Sequence, residues 1–146
     1  MKFTVLMPIH NEILLRHIKR STNSVIKNTL QPNEFLIIID GELTKEKISY
    51  LKIFANKKRY IRVIFLKKSG LTKVLNLGIQ YSKYNIIARA DADDFNFPKR
   101  FELQLNFFKN KKADLVGSNI IEKYNKTKYS KKIISEPSLL QMIFIN

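Results

Sequence analysis

The amino-acid sequence predicts an α/β fold, a layered sandwich in which helices cover a mostly parallel central sheet. Apolar runs of strand length alternate with segments that carry apolar residues at helical spacing, the order of a parallel sheet with crossover helices. Polar and acidic residues directly follow the apolar runs, where open sheets of this kind bind ligands. The chain has 146 residues, of which 45% are hydrophobic, so we predict one domain spanning residues 1–146.

Five apolar runs predict the strands of this sheet. The first two are almost continuously apolar, the pattern of strands that are buried on both faces. The runs are Phe3–Ile9, Phe35–Ile39, Tyr60–Leu66, Asn85–Ala90 and a fifth that begins at Ala113–Val116.

Four segments between these runs predict helices. They are Glu12–Leu30, Thr44–Asn56, Leu71–Tyr81 and a segment that starts at Pro98. Threonine at position 44 can cap the second helix, and proline at position 98 fits a first helical turn. Beyond Gly117 the pattern weakens into a basic stretch and an apolar tail.

The composition restricts the kinds of metal site that the chain can build. There is no cysteine, which excludes disulfides and thiolate metal sites. The two histidines, His10 and His17, make a histidine-rich zinc site implausible. Any metal is therefore expected to be held by oxygen ligands, as Mg²⁺ or Mn²⁺ is.

The charge is strongly basic, with 27 Lys and Arg against 12 Asp and Glu. Nucleic acid, an anionic membrane surface and phosphorylated substrates all suit such a chain. The lysines are spread along the sequence, which favours a solvated surface, so we expect no nucleic-acid partner and only peripheral contact with a membrane.

The first apolar run is short and contains Pro8, which is unlike a signal peptide or a membrane span. These features predict a soluble, cytoplasmic chain.

An acidic cluster, Asp91-Ala92-Asp93-Asp94, follows the fourth apolar run. Acids packed this closely repel one another, and a basic chain that gathers them at a strand end is expected to hold a cation there. The alternative is a solvated turn with a helix cap, a role that aspartate fills readily. For a cluster of three acids beside a buried strand, we favour the cation site.

Other polar residues follow the remaining strands of the predicted sheet. His10-Asn11-Glu12 follow the first strand, Asp40-Gly41 the second and Lys68-Ser69-Gly70 the third. Because the carboxyl ends of parallel strands share one edge, these loops are expected to meet the acidic cluster there. A site built from several loops is more specific than any one of the loops.

Each candidate residue also has a structural interpretation. Asp40 can accept a hydrogen bond from a base or ribose, or can serve as a turn aspartate. A lone histidine such as His10 is more often a structural hydrogen-bonding residue than a catalytic base. Glu12 can cap the first helix through a favourable interaction with the helix dipole. Lys73 and Asn76 lie near the start of the third helix, where a diphosphate can be met, but each is also an ordinary surface residue.

Four motifs follow one another along the chain. They are Val5–Glu12, Glu34–Gly41, Gly70–Gly78 and Ala88–Asp94, the last followed by Pro98-Lys99-Arg100-Phe101 and Gln104. In this order they resemble the motifs of family 2 glycosyltransferases, in particular the bacterial branch that builds capsule, exopolysaccharide and lipopolysaccharide. Together they are specific, although each alone is weak. The match covers roughly residues 3–121, within which Val116-Gly117-Ser118 fits the next strand.

The resemblance implies a GT-A fold, of which the chain is the N-terminal, donor-binding half. It implies inverting transfer of a sugar from a nucleotide-diphosphate sugar to a glycan or lipid-linked acceptor, with Mn²⁺ or Mg²⁺ as cofactor. Asp40 then contacts the nucleoside, and Ile39 stands where many members carry an earlier acid. Asp91 reaches the ribose or the metal shell, Asp93 ligates the metal, and Asp94 supports the loop or shares in binding. The implied nucleotide-sugar-binding residues are Pro8, His10, Glu12, Asp40, Lys73, Asn76 and Asp91.

The resemblance supplies no general base, although inverting transfer needs a carboxylate that removes the acceptor proton. Glu122 and Glu136 are the only acids after Asp114, and neither lies in a matching motif. We therefore expect the base beyond Asn146, in an acceptor part that this chain lacks. The expected location of the protein is the cytoplasm, peripherally at the inner face of the cytoplasmic membrane.

Four alternatives remain at this point. The first is a truncated, catalytically inactive remnant that folds and binds only the donor. The second is a basic nucleic-acid-binding module, suggested by the charge alone. A nucleotidyltransferase shares the metal and the nucleotide, and a phospho-receiver domain shares the α/β pattern but needs acids where this chain has His10-Asn11-Glu12.

Overall fold

A computed structural model describes residues 1–111, 113–123 and 129–132 of the chain. Strands and helices alternate through most of this part. In chain order the elements are β1 (Thr4–His10), α1 (Leu15–Ile26), β2 (Glu34–Asp40), α2 (Lys45–Ala55), β3 (Ile61–Leu66), α3 (Leu71–Tyr81), β4 (Ile87–Arg89), α4 (Arg100–Lys111), β5 (Ile120–Lys123) and β6 (Tyr129–Lys132).

The described strands form two sheets. The larger has the order β3-β2-β1-β4 with all neighbours parallel, and the smaller is the antiparallel pair β5-β6. The predicted α/β class with a parallel central sheet is therefore confirmed. The chain divides into two compact units, Met1–Phe101 with the larger sheet and a second that begins at Glu102. The single domain over residues 1–146 stays a prediction.

The central strands β1 and β2 are buried almost along their whole length. They pair in register from Thr4 opposite Glu34 to His10 opposite Asp40. Only the last residue of each strand is partly or fully exposed. Strands that are covered on both faces need apolar residues at every position, which explains their continuous apolar sequence. The register also brings the first residues after both strands to the same edge.

Helix α3 packs closely against this pair of strands. Val74 of α3 lies in a buried cluster with Leu6, Leu36 and Ile38. Gly78 faces the same strands, and a Cβ atom added there would lie 2.6 Å from Cδ1 of Leu6. The absence of a side chain at position 78 therefore lets the helix approach the sheet.

The amino-terminal end of the sheet carries a buried acid, Glu34. Its carboxylate accepts hydrogen bonds from the Thr4 hydroxyl at 2.8 Å and the Lys83 N–H at 2.7 Å, and it pairs with the Arg62 guanidinium. Burial works against its charge, but the backbone N–H of Lys83, the guanidinium of Arg62 and the hydroxyl of Thr4 outweigh it, so the pKa of Glu34 is lowered. The acid thus links β1, β2, β3 and the segment after α3.

The structure confirms the first four predicted strands and all four predicted helices, although several of their ends differ from the predicted ones. Helix α1 begins at Leu15 rather than near Glu12, and Thr44 occupies the N-cap of α2 without a side-chain hydrogen bond. The predicted fifth strand at Ala113–Val116 is wrong, because residues 113–119 have no strand and β5 begins only at Ile120. That segment has only Leu115 and Val116 as consecutive large apolar residues between an aspartate and a glycine, which are both poor strand formers.

None of the described helices has both the length and the apolar character needed to cross a membrane.

Candidate functional site

The predicted site residues of β1 and β2 lie at the carboxyl end of the larger sheet. Pro8 is buried within β1 opposite Ile38, and His10 ends β1 opposite Asp40. The imidazole of His10 is half exposed, with Nδ1 3.9 Å from Oε2 of the exposed Glu12. The strands therefore place Asp40 and the residues after β1 side by side, as the parallel order predicts.

The Asp40 carboxylate holds the loop that enters α3. It accepts hydrogen bonds from the backbone N–H groups of Ser69, at 2.7 Å, and Gly70, at 3.1 Å. Gly41 has a positive φ of 87°, a conformation that glycine adopts without strain. Asp40 thus has a structural role, but it is not that of a turn aspartate, because its partners belong to the loop before α3 and not to its own turn. Its contact with a nucleoside stays a prediction.

Lys73 and Asn76 lie on the first two turns of α3, and both side chains are exposed. The anchored loop before α3 carries them to the same end of the sheet as Asp40. No contact in the described part of the chain joins either side chain to the acidic cluster, so their role in binding a diphosphate stays a prediction.

The acidic cluster lies in the connection between β4 and α4, residues 90–99, which we call the acid loop. The loop continues directly from the sheet, because the Ala90 N–H donates to the Leu6 carbonyl oxygen at 2.9 Å. Ala92 and Asn96 are buried, whereas Asp93 and Asp94 are exposed. The chain therefore buries the small and amide side chains of this loop and presents two of its acids to solvent.

Asp91 makes a two-pronged ion pair with Arg89. Nε and Nη2 of the guanidinium lie 2.9 and 3.2 Å from the two carboxylate oxygens. Sequence reasoning missed Arg89, because β4 ends at this residue and Asp91 already lies in the acid loop, where strand alternation does not predict a pair. A role of Asp91 toward ribose or metal requires that it share or exchange this partner.

The Asp93 and Asp94 carboxylates make no hydrogen bond or ion pair with any described residue. Desolvation of its carboxyl group and the nearby charges of Asp91 and Asp93 raise the pKa of Asp94, and the guanidinium groups of Arg100 and Arg20 only partly offset this. The largest cause of this raised pKa is the desolvation of the Asp94 carboxyl group, and repulsion by the other two aspartates adds to it.

Arg100 supports the acid loop from the start of α4. Its guanidinium donates to the Arg89 carbonyl oxygen at 2.6 Å and to the Asn96 side chain. Sequence reasoning missed this role too, because a single arginine at the start of a helix reads as a surface residue. With Arg89, it places two guanidinium groups beside the acids.

A cavity of about 260 Å³ joins the end of β1 to the acid loop. It is lined by His10, Glu12, Ile13, Leu14, His17 and Asp93. Three predicted site residues, from two loops that are far apart in sequence, therefore meet here, together with His17, which was not predicted. A larger depression at Lys52, Ala55, Asn56, Val63 and Phe65 contains none of the predicted site residues.

The donor set at this end of the sheet suits a hard cation. Within the described ranges, no group of three or more His, Asp or Glu side chains is arranged to hold a metal by itself. Mg²⁺ commonly takes only one or two carboxylates and completes its shell with substrate phosphates and water. Asp93, exposed and without a described partner, fits such a metal, whereas Asp91 is paired with Arg89.

Residues 4–144 match the model of the family described as glycosyl transferase family 2. The chain belongs to glycosyl transferase family 2. This confirms the resemblance that the four motifs carry. The predicted roles of individual residues within the family site stay predictions.

Curated relatives of this family member include bacterial enzymes of polysaccharide synthesis. A UDP-Gal:alpha-D-GlcNAc-diphosphoundecaprenol beta-1,3-galactosyltransferase of Escherichia coli is 34% identical over 125 residues, which are 83% of this chain and 44% of that protein. The amylovoran biosynthesis glycosyltransferase AmsE of Erwinia amylovora is 29% identical over 121 residues, 82% of this chain and 46% of the relative. The chain thus spans less than half the length of these two relatives.

Solved structures confirm the GT-A fold predicted for this family 2 chain. S. aureus TarS in complex with UDP-GlcNAc superimposes with a TM-score of 0.67 at 23% identity, over 78% of this chain and 33% of that chain. The mannosyltransferase PcManGT from Pyrobaculum calidifontis, in complex with GDP-Man and Mn²⁺, has a TM-score of 0.55 at 18% identity, over 70% of this chain and 30% of its own. At these identities the likeness carries the fold alone.

Proposed function

We propose that this chain binds a nucleotide-diphosphate sugar for an inverting, metal-dependent glycosyl transfer to a surface-polysaccharide or lipid-linked acceptor. The observation that carries the proposal is the cavity in which Asp93 meets His10 and Glu12, in a chain whose residues 4–144 match family 2. The complexes of TarS with UDP-GlcNAc and of PcManGT with GDP-Man and Mn²⁺ support it by fold.

In the proposed donor site, the acid loop and the end of β2 bind different parts of the nucleotide sugar. Asp93 takes the cation that accompanies the diphosphate, and Asp91 lies beside it toward the ribose. Asp40, which is fixed by the backbone of Ser69 and Gly70, faces the nucleoside. When bound, Mn²⁺ or Mg²⁺ neutralises the charge that develops on the diphosphate as it leaves.

The proposed transfer is a single displacement. The acceptor hydroxyl oxygen bonds to the anomeric carbon as the bond between that carbon and the diphosphate oxygen breaks, so the configuration inverts. The hydroxyl proton passes to a carboxylate base. We propose that this base lies outside the described residues, since the acids that line the cavity, Glu12 and Asp93, are assigned to the donor.

We further propose that the protein works in the cytoplasm against the inner face of the membrane. The support is the excess of 27 basic over 12 acidic residues, which favours an anionic surface. The diphosphoundecaprenol named in the substrate of the E. coli relative supports a lipid-linked acceptor.

Thermal unfolding in the presence of nucleotides tests the donor site. UDP, GDP, CDP and ADP are each added with Mn²⁺ or with EDTA, and the corresponding monophosphates serve as controls. At about 100 times Kd a ligand stabilises the folded chain by about 2.7 kcal/mol, so we expect one diphosphate to raise Tm by several degrees only with Mn²⁺. The absence of a shift with all four diphosphates would overturn the proposal.

Release of nucleoside diphosphate from a matching nucleotide sugar then separates turnover from binding. Release that depends on Mn²⁺ when a lipid-linked acceptor and the 146-residue chain are mixed would show that the chain itself carries out the transfer. Tight binding without any release would favour the donor-binding remnant instead.

A further inference from the structure

We propose that three polar residues on one face of α1, Ser21, Ser24 and Asn28, position the acid loop so that Asp93 meets the cation of the donor diphosphate. We call these residues the α1 stripe. The inference rests on the proposed function, because it assigns the stripe to the same donor site. None of the three residues lines the cavity of the proposed donor site, so the role assigned to them is to position and not to catalyse.

The burial of the α1 stripe is the first observation. Ser21, Ser24 and Asn28 are 0%, 4% and 3% exposed. They are spaced at i, i+3 and i+7, so they lie on one side of the helix and its C-terminal extension. A buried polar side chain costs free energy unless it is hydrogen-bonded, so a polar stripe on a buried face requires specific partners.

Each of the three residues has a partner in or next to the acid loop. The Ser21 hydroxyl donates to the Asp91 carbonyl oxygen at 2.8 Å. The Ser24 hydroxyl oxygen accepts from the Asn96 backbone N–H at 2.9 Å and from its side-chain amide at 3.1 Å. Oδ1 of Asn28 accepts from the Phe101 N–H at 3.4 Å. The stripe therefore contacts the loop near its start, at its middle and just past its end.

The stripe is itself held in place. The Ser24 hydroxyl donates to the Ser21 carbonyl oxygen at 2.7 Å, and the Asn28 amide donates to the Ser24 carbonyl oxygen at 3.0 Å. A serine hydroxyl has one proton and two lone pairs, so Ser24 uses all of its hydrogen-bonding capacity in these contacts. Its side chain has a single orientation that satisfies every partner.

Neighbouring residues extend the same attachment. Arg20 donates to the Asp93 carbonyl oxygen at 2.9 Å, and the Thr29 N–H donates to the Pro98 carbonyl oxygen at 2.8 Å. These contacts, like those of the stripe, are made to the main chain of the loop or to Asn96. None of them uses a carboxylate, so the loop is fixed while the Asp93 side chain stays available to a ligand.

The consequence for binding follows from the geometry that a cation demands. Mg²⁺ and similar ions require near-ideal ligand directions, and a misplacement of about 1 Å can cost about 100-fold in a reaction. Residues that support metal ligands typically contribute about 10–100-fold in metal affinity. We expect the α1 stripe to act within this range on the metal-dependent part of donor binding.

The test compares Ser24→Ala with Ser49→Ala in the 146-residue chain. Ser49 is an exposed serine of α2 and has no described hydrogen bond, so its variant is a matched control. The affinity for the nucleoside diphosphate that stabilises the wild type is measured with Mn²⁺ and with EDTA. Hydrogen exchange of residues 90–99 is followed in the same samples.

With Mn²⁺, we expect Ser24→Ala to bind the nucleoside diphosphate about tenfold more weakly than the wild type does. In EDTA, its affinity should equal that of the wild type. Exchange should rise in the acid loop and not in β1 or β2. Ser49→Ala should match the wild type in every readout. General loss of structure would lower the affinity both with Mn²⁺ and with EDTA. A loss that occurs only with Mn²⁺ therefore indicates a positioning role. If Ser24→Ala does not fold, Ser21→Ala, which loses one contact to Asp91, decides by the same readouts.

Three results overturn the inference, and they are distinguishable. The first is a folded stripe variant that keeps both the wild-type increase in affinity with Mn²⁺ and the wild-type hydrogen exchange of the acid loop. This result refutes the positioning role and leaves the proposed function standing. Equal losses with Mn²⁺ and with EDTA show a general structural role. A wild-type chain whose nucleotide binding does not respond to Mn²⁺ refutes the proposed function and, with it, this inference.

Discussion

The two ends of the larger sheet treat acidic side chains in opposite ways. At the amino-terminal end, one buried acid, Glu34, is met by a hydroxyl, a backbone N–H and a guanidinium. At the carboxyl-terminal end, the acid loop gathers three aspartates, and the Asp93 and Asp94 carboxylates make no hydrogen bond or ion pair with a described residue. The paired carboxylate of Glu34 holds strands together, whereas the carboxylates of Asp93 and Asp94, which we call unmatched, are available to a ligand.

The direction of each pKa shift expresses the same difference. Hydrogen bonds and the Arg62 charge lower the pKa of Glu34 despite its burial. Desolvation and neighbouring aspartates raise the pKa of Asp94. Folding therefore favours the ionised form of Glu34 and disfavours that of Asp94.

Replacing Glu34 should have the largest effect on stability. Glu34→Ala leaves the Thr4 hydroxyl and the Lys83 N–H without their acceptor and removes the partner of Arg62. We expect the free energy of unfolding to fall by about 2–3 kcal/mol, measured by urea denaturation. Glu46→Ala, at an exposed position of α2, is the control and should change stability by less than about 0.5 kcal/mol.

The comparison would break if Glu34→Ala left the free energy of unfolding unchanged. It would break equally if this variant, while still folded, lost the Mn²⁺-dependent affinity for a nucleoside diphosphate. The first outcome would remove the stabilising role of the amino-terminal end, and the second would assign a binding role to it.

The pH dependence of stability sharpens the same point. Because the folded pKa of Glu34 lies below its unfolded value, its contribution is present above about pH 4.3, the ordinary value for glutamate. The contribution is lost as the pH falls through the lowered folded pKa. Unfolding of the wild type and of Glu34→Gln at pH 7, 5, 4 and 3 should therefore show a difference that shrinks with acid, and a constant difference would contradict the ionised pairing.

Replacing Asp94 should have a small effect of opposite sign. Its raised pKa means that its charge costs stability above the folded pKa, and that this cost is absent below the ordinary aspartate value of about 3.9. Since Asp94 is exposed and solvent screens its charge, we expect Asp94→Asn to raise Tm by only about one degree at pH 7. The gain should vanish in acid, and a lower Tm at pH 7 would show that Asp94 is matched after all.

The sequence predicted the larger sheet well because its signals are local. A short continuous apolar run such as Phe35–Ile39 is typical of a strand that is covered on both faces. The error at Ala113–Val116 arose where the apolar run is only two residues long. Family motifs then identified the fold, which comparison with solved structures confirms.

The structural details of the candidate site could not be predicted in the same way. Ser21 and Asn28 look like the solvated side of an amphipathic helix, and only the tertiary structure shows that they face a loop about 70 positions later in the chain. Arg100 looks like a surface residue for the same reason, although it contacts the Arg89 carbonyl oxygen. Long-range hydrogen bonds to main-chain atoms leave no signal in a single sequence.

The central claim is that the unmatched acids of the carboxyl-terminal end bind a cation together with a nucleotide. Calorimetric titration of the stabilising nucleoside diphosphate into Asp93→Asn in the presence of Mn²⁺ tests it most directly. We predict an affinity about 100-fold below that of the wild type, with wild-type Tm and wild-type affinity in EDTA. Binding by Asp93→Asn that equals the wild type with Mn²⁺ would contradict the claim.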